Sequence, residues 1–183
     1  MRIPLLVLAF FALVPAARAE VGVREIGSAG APRVEIFLSP SCPHCARFET
    51  ETLPALMRAA EQGRMRLAII DLPMSLQGFA ASAALACVPD AQRPAVRARL
   101  LASQEAWSRA ADPMAAVRAE AAAAGVPEAQ TRRCQEDQAL RQIFRDRMAQ
   151  AQARGVSQVP AIVSAGQVRL GFRGPQEVLA SIR

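Results

Sequence analysis

The hydrophobic pattern along the chain changes period twice. Val34-Glu35-Ile36-Phe37-Leu38 is apolar at nearly every position, as a central strand covered on both faces requires. Gly22 to Ile26 predicts a shorter first strand, with a turn over Gly27-Ser28-Ala29-Gly30-Ala31-Pro32. Arg47 to Gln62 reads as helix, kinked at Pro54 and closed by Gly63. Arg66 to Ile70 is the next strand and ends at Asp71-Leu72-Pro73. From Ser75 to about Arg154 the period is helical throughout. Phe79 to Cys87 forms one helix, stopped by Pro89, and Pro94 to Ser108 forms another, with Val96, Leu100 and Trp107 on one face. Asp112-Pro113 predicts an N-cap followed by proline at the first helical position, and Gly125 closes that helix. A further long helix carries Leu140, Ile143, Phe144 and Met148 on one stripe and ends at Gly155. Trp107 and the methionines are assigned to the core.

Strand character then returns. Val159 to Val163 and Val168 to Phe172 flank a tight turn, Ser164-Ala165-Gly166-Gln167, and a last helix runs from Pro175 to Ile182. The order is β, β, α, β, a block of roughly 75 helical residues, then β, β, α. The fold class is α/β, with the helical block inserted between a central βαβ half and a C-terminal ββα half.

The first nineteen residues stand outside this pattern. Arg2 supplies a positive start, Ile3 to Val14 a short apolar run, and Ala17-Arg18-Ala19 an A-x-A cleavage signal. A membrane span needs about 18 or more apolar residues, so this run is too short. Residues 1–19 are read as a cleaved export signal and 20–183 as one domain, its core about 20–74 and 156–183 and its helical insertion about 75–155. Export puts the chain where disulfides persist, and all four cysteines lie in the exported part.

The net charge of +6 falls to about +4 once Arg2 and Arg18 are removed. Every basic residue is arginine, and the arginines are dispersed along the helices. With no basic cluster, no tyrosine and one tryptophan, nucleic acid is not an expected partner.

Chemistry concentrates in Ser39-Pro40-Ser41-Cys42-Pro43-His44-Cys45, between a strand and a helix. A thiol at a helix N-terminus sits beside unpaired backbone N–H groups and the positive end of the helix dipole, which stabilise its thiolate. The protein's single histidine lies between the two cysteines. A metal carrier built on Cys42, Cys45 and His44 is a competing reading, but a tetrahedral site needs four ligands and the other cysteines stand far apart in sequence.

The element order, with Cys42-Pro43-His44-Cys45 after the second strand and Val159-Pro160 before the hairpin, resembles the thioredoxin fold. The large insertion narrows the resemblance to DsbA-like periplasmic thiol–disulfide oxidoreductases, and it covers nearly the whole exported chain. It implies that Cys42 is the exposed nucleophile and Cys45 the resolving thiol, with exchange through a mixed disulfide at Cys42. Pro43 and His44 match the dipeptide of strongly oxidising members and would tune the Cys42 thiolate. Val159-Pro160 matches the family's cis-proline loop, where a substrate chain lies along the residue before the proline; an ordinary trans proline opening a strand is the other reading. No cofactor and no metal are implied. The implied partners are reduced exported proteins as substrates and a DsbB-like membrane oxidoreductase for reoxidation, with the protein itself a monomer in the periplasm.

One position departs from the family. A buried acid is expected six residues before the first cysteine, where this chain has Ile36; Glu35 is one residue earlier and on a regular strand points to the opposite face. Either a bulge restores it or the protein works without it, and Glu35 receives no catalytic role. Cys87 and Cys134 resemble a second cysteine pair found in the insertion of some DsbA-like proteins, especially from alphaproteobacteria. A structural bridge between them would close a loop of about 48 residues and add about 4 kcal/mol by chain entropy. A second redox pair and two unpaired buried thiols are the alternatives. For function, an oxidase is the favoured reading, and a reductase or isomerase of exported disulfide proteins is the alternative.

Overall fold

In the computed structural model, residues 21–181 are described. The expected export signal over 1–19 and the far end of the last helix lie outside the described residues. The central apolar run becomes β2 (Arg33–Leu38), flanked by β1 (Val23–Ile26), β3 (Arg66–Asp71), β4 (Ala161–Ser164) and β5 (Gln167–Leu170) in one sheet of order β1-β3-β2-β4-β5. β2 pairs parallel with β3 and antiparallel with β4, and the outer pairs β1–β3 and β4–β5 are antiparallel. The period of two then sorts its side chains. Val34, Ile36 and Leu38 enter one core with Cys45, Phe48 and Leu56. Phe37 enters the opposite one with Ala68, Ile70, Ala161 and Val163.

On the first face lie α1 (Pro43–Glu51), α2 (Leu53–Glu61) and α9 (Pro175–Ala180). The single helix expected over 47–62 begins four residues earlier and is broken rather than bent. Pro54 has no N–H to continue the ladder and its ring crowds the carbonyl four residues back, so the break falls at Thr52. Thr52 Oγ1 donates to Arg173 O at 2.8 Å, tying the break to the chain just before α9.

The insertion comprises α3 (Leu76–Ala86), α4 (Arg93–Ala102), α5 (Gln104–Ser108), α6 (Pro113–Ala123), α7 (Glu128–Glu136) and α8 (Gln138–Ala153). Alanine-rich α3 is its axis, and Ala80, Ala81, Ala84 and Leu85 pack with Val96, Leu100, Trp107, Val117 and Ala121. The helix expected over 94–108 is two helices, because Trp107 Nε1 donates to Leu100 O at 2.7 Å and takes the carbonyl that Gln104 N–H would need. Asp112 caps α6 as expected, its Oδ1 accepting from Ala115 N at 3.0 Å. Asp137 likewise starts α8 by accepting from Ala139 N and Leu140 N at 2.8 and 3.2 Å, which divides α8 from α7. Leu140 and Phe144 are buried, but Ile143 is 38% exposed and leaves the expected stripe. Met65 is core, whereas Met74 is 41% exposed. Among the described residues no helix is long and apolar enough to cross a membrane.

The hairpin turn needs two residues of positive φ, met by Ala165 at 47° and Gly166 at 74°. β4 starts at Ala161, two residues later than expected, and Pro160 contributes a carbonyl that accepts from Gly171 N at 2.8 Å.

Cys87, at the C-cap of α3, is disulfide-bonded to Cys134 of α7 with Cα atoms 5.9 Å apart and a sequence separation of 47. Closing that much chain removes about 4 kcal/mol of entropy from the unfolded state. Replacing both cysteines by alanine is expected to lower the urea midpoint of unfolding by a corresponding amount. Peptide mapping of the oxidised protein checks the bridge itself: a Cys87–Cys134 cross-linked peptide is expected.

Candidate active site

β2 delivers the chain at Leu38 into the turn Ser39-Pro40-Ser41, where Cys42 N donates to Ser39 O at 3.0 Å. Cys42 takes the N-cap of α1 in extended conformation, and its carbonyl accepts from Cys45 N and Ala46 N at 3.0 Å each. Pro43 is the first helical residue, where a missing N–H costs nothing. One turn of helix then separates the environments of the two cysteines. Cys42 is half-buried, Pro43 and His44 are exposed, and Cys45 is fully buried against Ile36, Leu38 and Phe48. Both active-site thiols are free.

Their acidities diverge accordingly. The Cys42 thiol falls from 9.0 to about 6, chiefly because the Cys45 thiol donates to it, opposed by partial burial and helped by the Cys45 and His44 backbone N–H groups. The His44 imidazole is the smallest of these contributions. Burial pushes the Cys45 thiol well above its ordinary value, the hydrogen bond with Cys42 adds to this, and the Cys42 and Glu49 charges push the same way. Ser39 N, 3.4 Å from Cys45 Sγ, partly opposes them.

The Val159–Pro160 peptide is cis, and Val159 O lies 3.6 Å from Cys42 Sγ. The two motifs, 117 residues apart, are thus neighbours because β4 lies beside β2 in the sheet. Glu35 does not join them. β2 keeps unbroken register with both neighbours, so no bulge turns Glu35 inward, and its carboxylate pairs with Arg33 and Arg154 on the face away from Cys45. Ile36 fills the position beneath Cys45. Cys87 and Cys134 belong to the insertion and line no part of this site.

The insertion supplies groups that sequence reasoning missed. Gln104 Nε2 donates to Pro40 O at 2.7 Å, holding the turn before Cys42 from behind. Ser39, Ser41 and Ser75 hydroxyls form a chain with spacings of 3.2 Å, and Ser75 Oγ caps α3 by accepting from Gly78 N at 3.0 Å. α3 approaches so closely that a Cβ on Gly78 would lie 2.7 Å from Ser39 Oγ. Glu49 of α1 pairs with Arg97 of α4. Only Glu49 carried a signal in the sequence, its spacing of four from Cys45 on one helix face.

The thioredoxin family model matches residues 20–182. The chain belongs to the thioredoxin family. No curated protein matches it. Among solved structures, alpha-DsbA1 of Wolbachia pipientis is similar with a TM-score of 0.74 at 16% identity, over 93% of this chain and 92% of that one. A protein-disulfide isomerase from Novosphingobium aromaticivorans matches with a TM-score of 0.74 at 19% identity, over 90% of this chain and 99% of that one. The catalytic domain of Proteus mirabilis ScsC gives 0.63 at 17% identity, over 90% and 89%. At these identities the likeness is one of fold, and the fold is DsbA-like: thioredoxin with a helical insertion.

In this thioredoxin-family site the lowered Cys42 pKa has a consequence of definite sign. A thiol depressed on folding stabilises the reduced protein at high pH, and that contribution is lost as pH falls through the folded value of about 6. The ultraviolet absorbance of the thiolate is expected to titrate near pH 6, and the stability of reduced relative to oxidised protein to rise between about 6 and 9.0. His44→Ala is expected to move the thiolate midpoint upward by a small part of the whole displacement, because alanine keeps the backbone N–H that faces Cys42 and removes only the imidazole.

Proposed function

We propose that the protein is a periplasmic thiol–disulfide oxidoreductase that donates the Cys42–Cys45 disulfide to exported proteins. The observation that carries this reading is the asymmetry of the pair: Cys42 half-buried with its thiol lowered to about 6, Cys45 fully buried with its thiol raised. A substrate thiolate attacks Cys42 Sγ, the bond to Cys45 breaks, and Cys45 leaves and takes up a proton. A second substrate thiolate then attacks the substrate sulfur of the mixed disulfide. Cys42 leaves as a thiolate, and the substrate has lost two electrons to the enzyme. A low thiol pKa makes Cys42 a good leaving group and favours the reduced enzyme, hence donation.

Val159 and Pro160 form the substrate's edge of the site. Pro160 has no N–H, and a peptide running past Cys42 meets the backbone of Val159 beside the reacting sulfur. In this reading the enzyme is a monomer, exported by the signal at residues 1–19, and a DsbB-like membrane oxidoreductase restores its disulfide. Residues 20–183 form the working domain, the insertion at about 75–155 covering one side of a core made from about 20–74 and 156–183.

A reductase or isomerase is the second reading, supported by the likeness in fold to the protein named a disulfide isomerase. Equilibration with glutathione separates the two: an oxidase stays largely reduced in a buffer that leaves a thioredoxin-like reductase oxidised. Cys42→Ser is expected to abolish exchange, while Cys45→Ser accumulates mixed disulfides with substrate that are visible on non-reducing gels. Normal turnover by Cys45→Ser would overturn the order of attack.

A further inference from the structure

With Ile36 beneath Cys45, the charge near the buried thiol comes from another direction. Glu49 lies one turn after Cys45 on α1, and residues so spaced are neighbours, about 5–6 Å apart at Cβ. Its side chain is only 7% exposed. Arg97 of α4 meets it with a two-pronged contact, Nε to Oε2 at 2.7 Å and Nη2 to Oε1 at 2.8 Å. The same guanidinium reaches Asp71 at the end of β3, Nη2 to Oδ1 at 2.9 Å and Nη1 to Oδ2 at 3.2 Å, where the carboxylate is 8% exposed. Burial alone would lower the Arg97 guanidinium, but the two carboxylates more than offset this and hold it firmly charged. Arg24 on β1 senses both Arg97 and Glu49, while its own Nη2 is 3.0 Å from Met57 Sδ. Arg147 Nη1 donates to the Asp71 carbonyl at 3.2 Å.

We propose that Glu49 and Arg97 are tuning residues of the Cys42–Cys45 couple: the Glu49 carboxylate opposes the negative charge of the dithiol form, and Arg97, delivered by the helical insertion, offsets it. The proposal rests on the exchange function inferred above. In the dithiol, Cys42 is a thiolate and Cys45 a thiol. Oxidation removes two electrons, releases the Cys45 proton and forms the S–S bond, so the site loses one negative charge. A fixed carboxylate nearby therefore favours the disulfide, and a fixed cation favours the dithiol. With Arg24 and Arg147 at its edge the cluster Glu49–Arg97–Asp71 carries no surplus negative charge, so the effect comes from Glu49 being the member on the cysteines' own helix, in a place where low solvent access limits screening.

A purely structural ion pair and a tuning pair predict different results. Breaking a buried pair from either side destabilises the fold in the same direction. A tuning pair moves the redox equilibrium in opposite directions according to which charge is removed. The experiment equilibrates the full exported chain with glutathione and glutathione disulfide at neutral pH and quantifies the Cys42–Cys45 disulfide by alkylation and mass spectrometry. Glu49→Gln keeps the shape and an oxygen for Arg97, and is expected to shift the equilibrium constant about threefold to tenfold toward the dithiol. Arg97→Met is expected to shift it toward the disulfide, and Arg97→Lys to recover most of that change. Shifts of the same sign in Glu49→Gln and Arg97→Met, or no shift in Glu49→Gln, would overturn the proposal. If Arg97→Met does not fold, the Glu49→Gln arm decides alone. A wild-type protein whose Cys42 and Cys45 never equilibrate with glutathione would instead overturn the exchange function itself.

Discussion

The site's chemistry depends on one turn of helix that puts two thiols in unlike settings. The Cys45 thiol is enclosed by Ile36, Leu38 and Phe48, whereas the Cys42 sulfur is half open to solvent at the helix N-cap. Burial makes Cys45 hold its proton, and that proton, together with backbone N–H groups, stabilises charge on Cys42. Neither sulfur would behave this way alone. The arrangement requires α1 to start at Pro43, so that one turn of helix spans the distance from surface to core.

The helical insertion is more than a cover over the sheet. Gln104 holds the Pro40 carbonyl behind the active-site turn, α3 packs against Ser39 and Ser41 with only a glycine between, and Arg97 reaches both the active-site helix and the end of β3. Three points of contact from α3, α4 and α5 therefore bear on the loop and helix that carry the cysteines. The disulfide from Cys87 to Cys134 pins α3 to α7 within the same unit. The geometry of the two sulfurs is thus supported from the sheet below and from the insertion at the side.

Much of the fold was legible because strands and helices bury residues at different periods. β2 announced itself as central through its unbroken apolar run, and the hairpin between β4 and β5 through its turn residues. The helix breaks were harder to read. Thr52, Ser103 and Asp137 each divide what looked continuous, and two of the three divisions use side-chain bonds, Trp107 to Leu100 O and Asp137 to the α8 N–H groups. A bond from a buried indole to a carbonyl seven residues back leaves no periodic trace. Ile143 fell off its stripe for a related reason, since α8 meets its neighbours along Leu140 and Phe144 rather than along the full width of its apolar face.

By itself the sequence determined the local geometry of the C-x-x-C pair. Cys42 and Cys45 are local, and their spacing at a strand-to-helix junction dictates that one caps the helix while the other turns inward. What only the tertiary structure decided is the electrostatic surroundings of that pair. Glu35 pairs with arginines on the far face because β2 is regular, and the Glu49 side chain is shielded from solvent because an arginine 48 residues away in sequence closes over it. A carboxylate's effect depends on direction, burial and the nearest opposite charge. All three are set by packing between elements far apart in the chain.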